Sequence, residues 1–255
     1  MIFHTSGDAY DRFMGRYSKR LAPLFADFAR VEPGQRVLDV GAGPGALTEE
    51  LVRRLGEQGV AAAEPSPEFV AALLSLLPGL DVRQAPAEDL PWPDASFDAA
   101  LAQLVLTFVA DPQGAAREMG RVVRPGGSVA ACMWDLDGME LLTALRHARS
   151  AVDPQAASQE GGLRYRTENE FREWLTEAGF EDVETQLLEV EEEYADFEEL
   201  WDAALGGVGP SGQWLLSVDA RTRDAAREET FRQVGSPAGA FIVRGRAWAG
   251  RATRA

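Results

Sequence analysis

The 255-residue sequence has one cysteine, Cys132, and two histidines, His4 and His147. A single thiol excludes an intrachain disulfide. Inside the apolar run Val129 to Trp134 it reads as a buried structural group rather than a nucleophile. Neither histidine lies in a recognised motif, so both read as surface residues. His147 is the better base candidate if its segment covers an acceptor, and no metal site is assigned. Positive charge is also short, with 25 basic against 41 acidic residues and a formal charge of −16. Such a field repels phosphate backbones, so no nucleic-acid partner is expected. Long apolar runs are missing too. The stretch Phe97 to Ala110 contains polar residues and is shorter than the roughly eighteen residues needed to span a bilayer. The start Met1-Ile2-Phe3-His4 lacks the basic and apolar regions of a signal peptide. A soluble cytoplasmic protein without a membrane partner is expected.

What remains is a chain long enough for one large domain with a substantial core, and no internal repeat is visible. The basic residues are nearly all arginine, and Arg12, Arg16, Lys19 and Arg20 cluster near the start, which reads as a solvated helix face.

The strongest local signal is Val37-Leu38-Asp39-Val40-Gly41-Ala42-Gly43-Pro44-Gly45, an apolar run that ends in three glycines. Glycine lets the main chain adopt otherwise costly dihedrals and lets a ligand approach it closely. Leu47, Leu51, Val52 and Leu55 then recur with helical spacing. The loop is therefore placed at a strand-to-helix turn, with amides available to a nucleotide-type cofactor. Gly41 to Ala46 also satisfies G-x-G-x-x-A, with Glu64 about twenty residues on, which is the dinucleotide pattern. Asp39 weighs against a pyrophosphate, because a carboxylate two residues before the loop repels it. S-adenosylmethionine carries a sulfonium and an ammonium, for which Asp39 is a favourable neighbour, and Glu64 can accept hydrogen bonds from both ribose hydroxyls.

Further blocks follow in order: Ala63-Glu64-Pro65-Ser66-Pro67; Ala87-Glu88-Asp89-Leu90-Pro91-Trp92 through Ser96-Phe97-Asp98; and Leu104-Val105-Leu106 with Asp111-Pro112 and Arg121-Val122-Val123-Arg124-Pro125-Gly126-Gly127. With the glycine loop, these blocks resemble the class I S-adenosylmethionine-dependent methyltransferases, particularly the small-molecule branch similar to ubiquinone/menaquinone C-methyltransferases. The resemblance covers about the first half of the chain. It implies S-adenosylmethionine as donor, S-adenosylhomocysteine as product and a small-molecule acceptor. It also implies a Rossmann-like α/β fold: a mainly parallel seven-stranded sheet with helices on both faces, an antiparallel edge hairpin and helical cap insertions.

By the same resemblance, Gly41, Ala42, Gly43 and Gly45 line the methionine and ribose portion, and Asp39 lies near the methionine end. Glu64 binds the ribose, Pro65 and Ser66 flank the adenine face, and Ala87 and Glu88 occupy positions that recognise adenine. Gln103 and Leu104 follow the fourth strand near the methionine end. In the leading segment, Tyr10 and Arg16 are placed at the methionine carboxylate, a role suited to arginine's fork of donors. Relatives often carry Gly-Asp before the alanine and histidines after the fourth strand. This chain has Ala85-Pro86 and Thr107-Phe108, so no histidine base is assigned. A non-catalytic cofactor-binding module and an NAD-type oxidoreductase are the rival readings.

Periodicity places strands at Arg36 to Val40, Gly59 to Glu64, Asp81 to Gln84, Phe97 to Gln103 and Ser128 to Trp134. A helix is expected over Leu141 to Val152, and another over Thr167 to Ala178 with Thr167 and Glu170 as a capping box and Gly179 as stop. Phe180 to Glu189 alternates as a strand, the acidic run Glu189 to Leu200 reads as a solvated face, Asp219 to Gln233 as a helix and Ala240 to Trp248 as a closing strand. One methyltransferase domain is expected over 1–255, with an N-terminal helical lid at 1–30, the cofactor core at 31–134 and cap insertions at 135–165 and 195–236.

Overall fold

The computed structural model describes residues 11–155 and 165–255. The strands are β1 (Val37–Val40), β2 (Val60–Glu64), β3 (Asp81–Gln84), β4 (Phe97–Gln103), β5 (Val123–Trp134), β6 (Glu181–Tyr194) and β7 (Phe241–Thr253). They form one seven-stranded sheet in the order β3-β2-β1-β4-β5-β7-β6. The pairs β1–β2, β1–β4, β2–β3 and β4–β5 are parallel. The helices are α1 (Arg16–Phe28), α2 (Ala46–Leu55), α3 (Pro67–Leu76), α4 (Pro112–Val122), α5 (Glu140–Val152), α6 (Glu168–Glu177), α7 (Phe197–Ala204), α8 (Gly209–Ser217) and α9 (Ala220–Gln233). Alternating strands and helices with a chain reversal beside β1 make this a doubly wound, Rossmann-like sheet.

The chain separates into two compact units. One comprises the described residues 21–133, 165–188 and 247–255. Its interior strands β1 and β2 are buried at every position, as expected of parallel strands covered on both faces. The core here joins Leu38, Val40 and Ala100 from the strands to Met119 and Val122 of α4 and Phe171 and Trp174 of α6. Local chemistry marks the helix starts: Ser66 caps α3 ahead of Pro67, and Asp111 accepts from the Gly114 amide at 2.9 Å ahead of Pro112. Before α6 the expected capping box is present, with Thr167 and Glu170 bonded reciprocally. Gly179, at φ +83°, follows it.

The other unit comprises the described residues 11–20, 134–155 and 189–246, and contains α5, α7, α8 and α9.

Three sequence expectations are corrected. β5 begins at Val123 rather than Ser128, and its register jumps from Phe97↔Val123 to Ala99↔Ser128. Residues 124–127 are thus an excursion from the ladder, with Gly126 at φ +75°. β6 continues to Tyr194 because Leu188, Val190, Glu192 and Tyr194 are buried while the intervening glutamates are exposed, a period of two that the density of acids conceals. Finally, the basic cluster is not simply a solvated face, since Arg16 and Arg20 both bind the buried Glu192.

Candidate cofactor site

The site is built at the carboxyl ends of β1 and β2, where their parallel register brings Val40 opposite Ala63. The chain leaves β1 through Gly41, Gly43 and Gly45, at φ +73°, +54° and +102°. The amides of Gly41 and Ala42 both donate to the Ala63 carbonyl, at 2.8 and 3.1 Å. Two glycines are required by packing as well as by dihedral. A Cβ on Gly41 would lie 2.7 Å from the Val105 methyls, and one on Gly45 would lie 2.8 Å from Leu73. At Gly43 a Cβ would meet nothing within 4 Å, so this part of the loop is the open one.

Glu64, at the end of β2, is 6% exposed. Its Oε2 accepts from the Gly43 amide at 2.8 Å and its Oε1 from the Ser66 amide at 2.9 Å. Burial raises its pKa, and the Ser66 and Gly43 amides oppose that shift. A carboxylate has about four lone-pair positions, so two accepted amides leave capacity for two further donors. Asp39 is buried beneath the loop, and its Oδ2 accepts from the Thr48 hydroxyl of α2 at 2.6 Å. Burial pushes its pKa up to about 7, with the Thr48 hydroxyl lowering it and the Glu64 charge raising it further. Two desolvated acids at adjacent strand ends make a place hostile to a polyphosphate and favourable to hydroxyl donors and to a cation. The residues present therefore fit an adenosyl sulfonium cofactor better than a dinucleotide.

The other expected residues fall as follows. Pro65 is exposed, and Ser66 is half-buried as the α3 cap. Ala87 is buried, while Glu88 Oε1 accepts from the Ala110 and Asp111 amides at 3.0 and 3.1 Å. Gln103 closes β4. Leu104 follows it at φ +62°, an unfavourable conformation for a branched residue, with its amide donating to the Cys132 carbonyl at 2.8 Å. Cys132 is fully buried, and desolvation raises its pKa, as a structural thiol requires.

Arg16 belongs to the other unit. Its guanidinium donates to Glu192 at 2.7 Å, Glu199 at 2.8 Å and the Glu193 carbonyl at 2.9 Å. It also lies 4.3 Å from the Tyr194 ring centroid. Tyr10 and His4 lie outside the described residues, and His147 is exposed, 3.4 Å from Gln233 Oε1. Sequence reasoning missed Thr48 and Val105. A hydroxyl in the first turn of an apolar-faced helix was a usable signal for Thr48, whereas nothing local announces that Val105 will cover Gly41.

Residues 38–131 match the family described as "Methyltransferase domain". The match spans little more than a third of the chain. The chain is 33% identical over 190 residues to a malonyl-[acyl-carrier protein] O-methyltransferase of Halorhodospira halophila, covering 71% of this chain and 60% of the relative. It is 28% identical over 206 residues to a ubiquinone/menaquinone biosynthesis C-methyltransferase of Cronobacter sakazakii, covering 71% and 82%. The chain thus spans less than two thirds of the first of these relatives. The fold also matches a Haemonchus contortus phosphoethanolamine N-methyltransferase 2 solved with S-adenosylhomocysteine, at TM-score 0.58, 18% identity and coverage of 97% and 57%. S-adenosylhomocysteine is a ligand of that solved structure. No helix among the described residues is long and apolar enough to cross a membrane.

Proposed function

We propose that this protein transfers the methyl group of S-adenosylmethionine to a small-molecule acceptor by in-line displacement, with S-adenosylhomocysteine as product. The observation that carries the reading is Glu64: a buried carboxylate pinned by the Gly43 and Ser66 amides, with lone pairs to spare for a ribose diol. The sulfonium, when bound, supplies an already activated methyl group. The chain's own work is then orientation and exclusion of water.

In this reading Glu64 holds the ribose and Gly41, Ala42, Gly43 and Gly45 flank the donor. Pro65 and Ser66 border the adenine, and the Ala87 amide faces its edge. Asp39, buried under the loop, complements the cationic end and anchors α2 through Thr48. Glu88, whose Oε1 is bonded to two amides, supports the loop ahead of α4. Gln103 and Leu104 border the transfer point, the strained backbone at Leu104 fixing where β4 ends. Three of the five Arg16 N–H groups are bonded to Glu192, Glu199 and the Glu193 carbonyl, and this reading gives Arg16 no contact with the methyl donor. The proposal keeps one methyltransferase domain in which helices α5, α7, α8 and α9 serve as acceptor cap.

Calorimetric titration with S-adenosylmethionine, S-adenosylhomocysteine and NAD tests this. Binding of the first two but not NAD is expected. Tight NAD binding alone, or failure of all three to bind a folded protein, would overturn it.

A further inference from the structure

A concavity of about 630 Å³ lies wholly within the unit that contains α7. Its volume is that of a small-molecule site. Arg12, Arg16, Glu199 and Asp202 supply its charges, with Ala203 and Leu205 among its apolar lining. The charges are not equivalent. Arg16 is neutralised by Glu192 and Glu199, at 2.7 and 2.8 Å. Glu199 is further tied to the Ala195 amide at 2.7 Å. Arg12 and Asp202 are exposed, and among the described residues neither forms an ion pair with the other or with any neighbour. The cavity thus presents one unspent cation and one unspent anion, held apart on the segment before α1 and on α7.

A purely anionic ligand would gain at Arg12 but would bring its charge toward Asp202 and Glu199, inside a chain of formal charge −16. A purely cationic ligand would gain at Asp202 and meet Arg12 and Arg16. A ligand bearing both charges satisfies both sides. We infer that this cavity binds the zwitterionic end of an α-amino-acid-type ligand, its carboxylate at Arg12 and its ammonium at Asp202, with the side chain against Ala203 and Leu205. The inference rests on the cavity's own charges and is independent of the methyltransferase reading.

The test uses the full chain and two matched trios: phenylalanine, phenethylamine and 3-phenylpropionate; and leucine, isoamylamine and 4-methylpentanoate. Each is titrated with and without saturating S-adenosylhomocysteine. The amino acids are expected to bind in both conditions, and the singly charged members roughly tenfold more weakly. Arg12→Gln and Asp202→Asn should each weaken amino-acid binding about five- to tenfold with S-adenosylhomocysteine affinity unchanged, which also reports that the variants fold. The exchange Arg12→Asp with Asp202→Arg should restore part of the loss.

Equal binding of an amine or an acid alone would overturn the inference, as would no amino-acid binding by a protein that binds S-adenosylhomocysteine. Displacement of the amino acid by S-adenosylhomocysteine, with Arg12→Gln weakening both, would also overturn it by assigning the cavity to the cofactor. Failure to bind S-adenosylhomocysteine while the amino acids still bind would strike the methyltransferase reading and leave the cavity assignment standing.

Discussion

Replacing Asp39 by asparagine should change how stability depends on pH, in a direction opposite to that of most carboxylates. Asp39 is 1% exposed, and its pKa rises from the ordinary 3.8 to about 7. Between those values the folded chain holds a proton that the unfolded chain has released, so raising the pH favours unfolding. The stability associated with protonated Asp39 is complete below about 4 and is lost progressively as pH climbs through 7. At about 1.4 kcal/mol for each pKa unit, the difference of roughly three units is worth up to about 4 kcal/mol. The asparagine side chain would keep the Thr48 contact as an amide–hydroxyl pair and carry no charge to desolvate. Urea denaturation of both proteins from pH 4.5 to 8.5 supplies the assay, because subtracting one curve from the other removes the shared contribution of the remaining acids. The stability difference, variant minus wild type, should rise by a few kcal/mol and level off above pH 7.5. A difference that stays flat would refute the reasoning, because Asp39 would then have to be ionised without penalty.

Three further outcomes are expected. Binding of S-adenosylmethionine should strengthen as pH rises through about 7 and should release a proton, because a cation beside Asp39 favours its carboxylate; identical calorimetric enthalpies in phosphate and Tris would show that no proton moves. Glu64→Gln should weaken S-adenosylmethionine roughly tenfold or more, since it sets an amide NH₂ against the Gly43 or Ser66 amide and removes charge-assisted bonds; an unchanged dissociation constant in a folded variant would remove Glu64 from the site. Gly41→Ala should cost about 1–3 kcal/mol, since it adds strain at φ +73° and a 2.7 Å approach to Val105. Melting temperatures should show partial recovery in the Gly41→Ala, Val105→Ala double variant, and no recovery would mean that the dihedral alone sets the cost.

The parts of this fold that were legible in the sequence are those whose determinants sit close together along the chain. β3 and β4 run as the periodicity indicates, from Asp81 to Gln84 and from Phe97 to Gln103. The Thr167 and Glu170 cap is a four-residue pattern that works without help from the rest of the fold. The glycine loop and Glu64 were visible for a similar reason, since each is bound to the end of its own strand. What escaped depends on partners far away in sequence. Glu192 lies within a run of acids and is buried only because Arg16 and Arg20, more than 170 residues earlier, come to it. The excursion at 124–127 is a property of the β4–β5 pair, and neither strand discloses it alone. Val105 becomes part of the glycine loop's packing only when β4 lies beside β1.

Glu64 spends one bond from each oxygen on the peptide backbone, one of them on the very loop that it helps to present. With Glu64 holding the ribose as proposed, scaffold and recognition are the same atoms. A change that retunes this carboxylate for a modified ribose also loosens the loop beside it, so the two properties cannot drift independently. On the proposed placement, alteration toward cofactor analogues is consequently easier beside the exposed Pro65 of the adenine side than at the sugar.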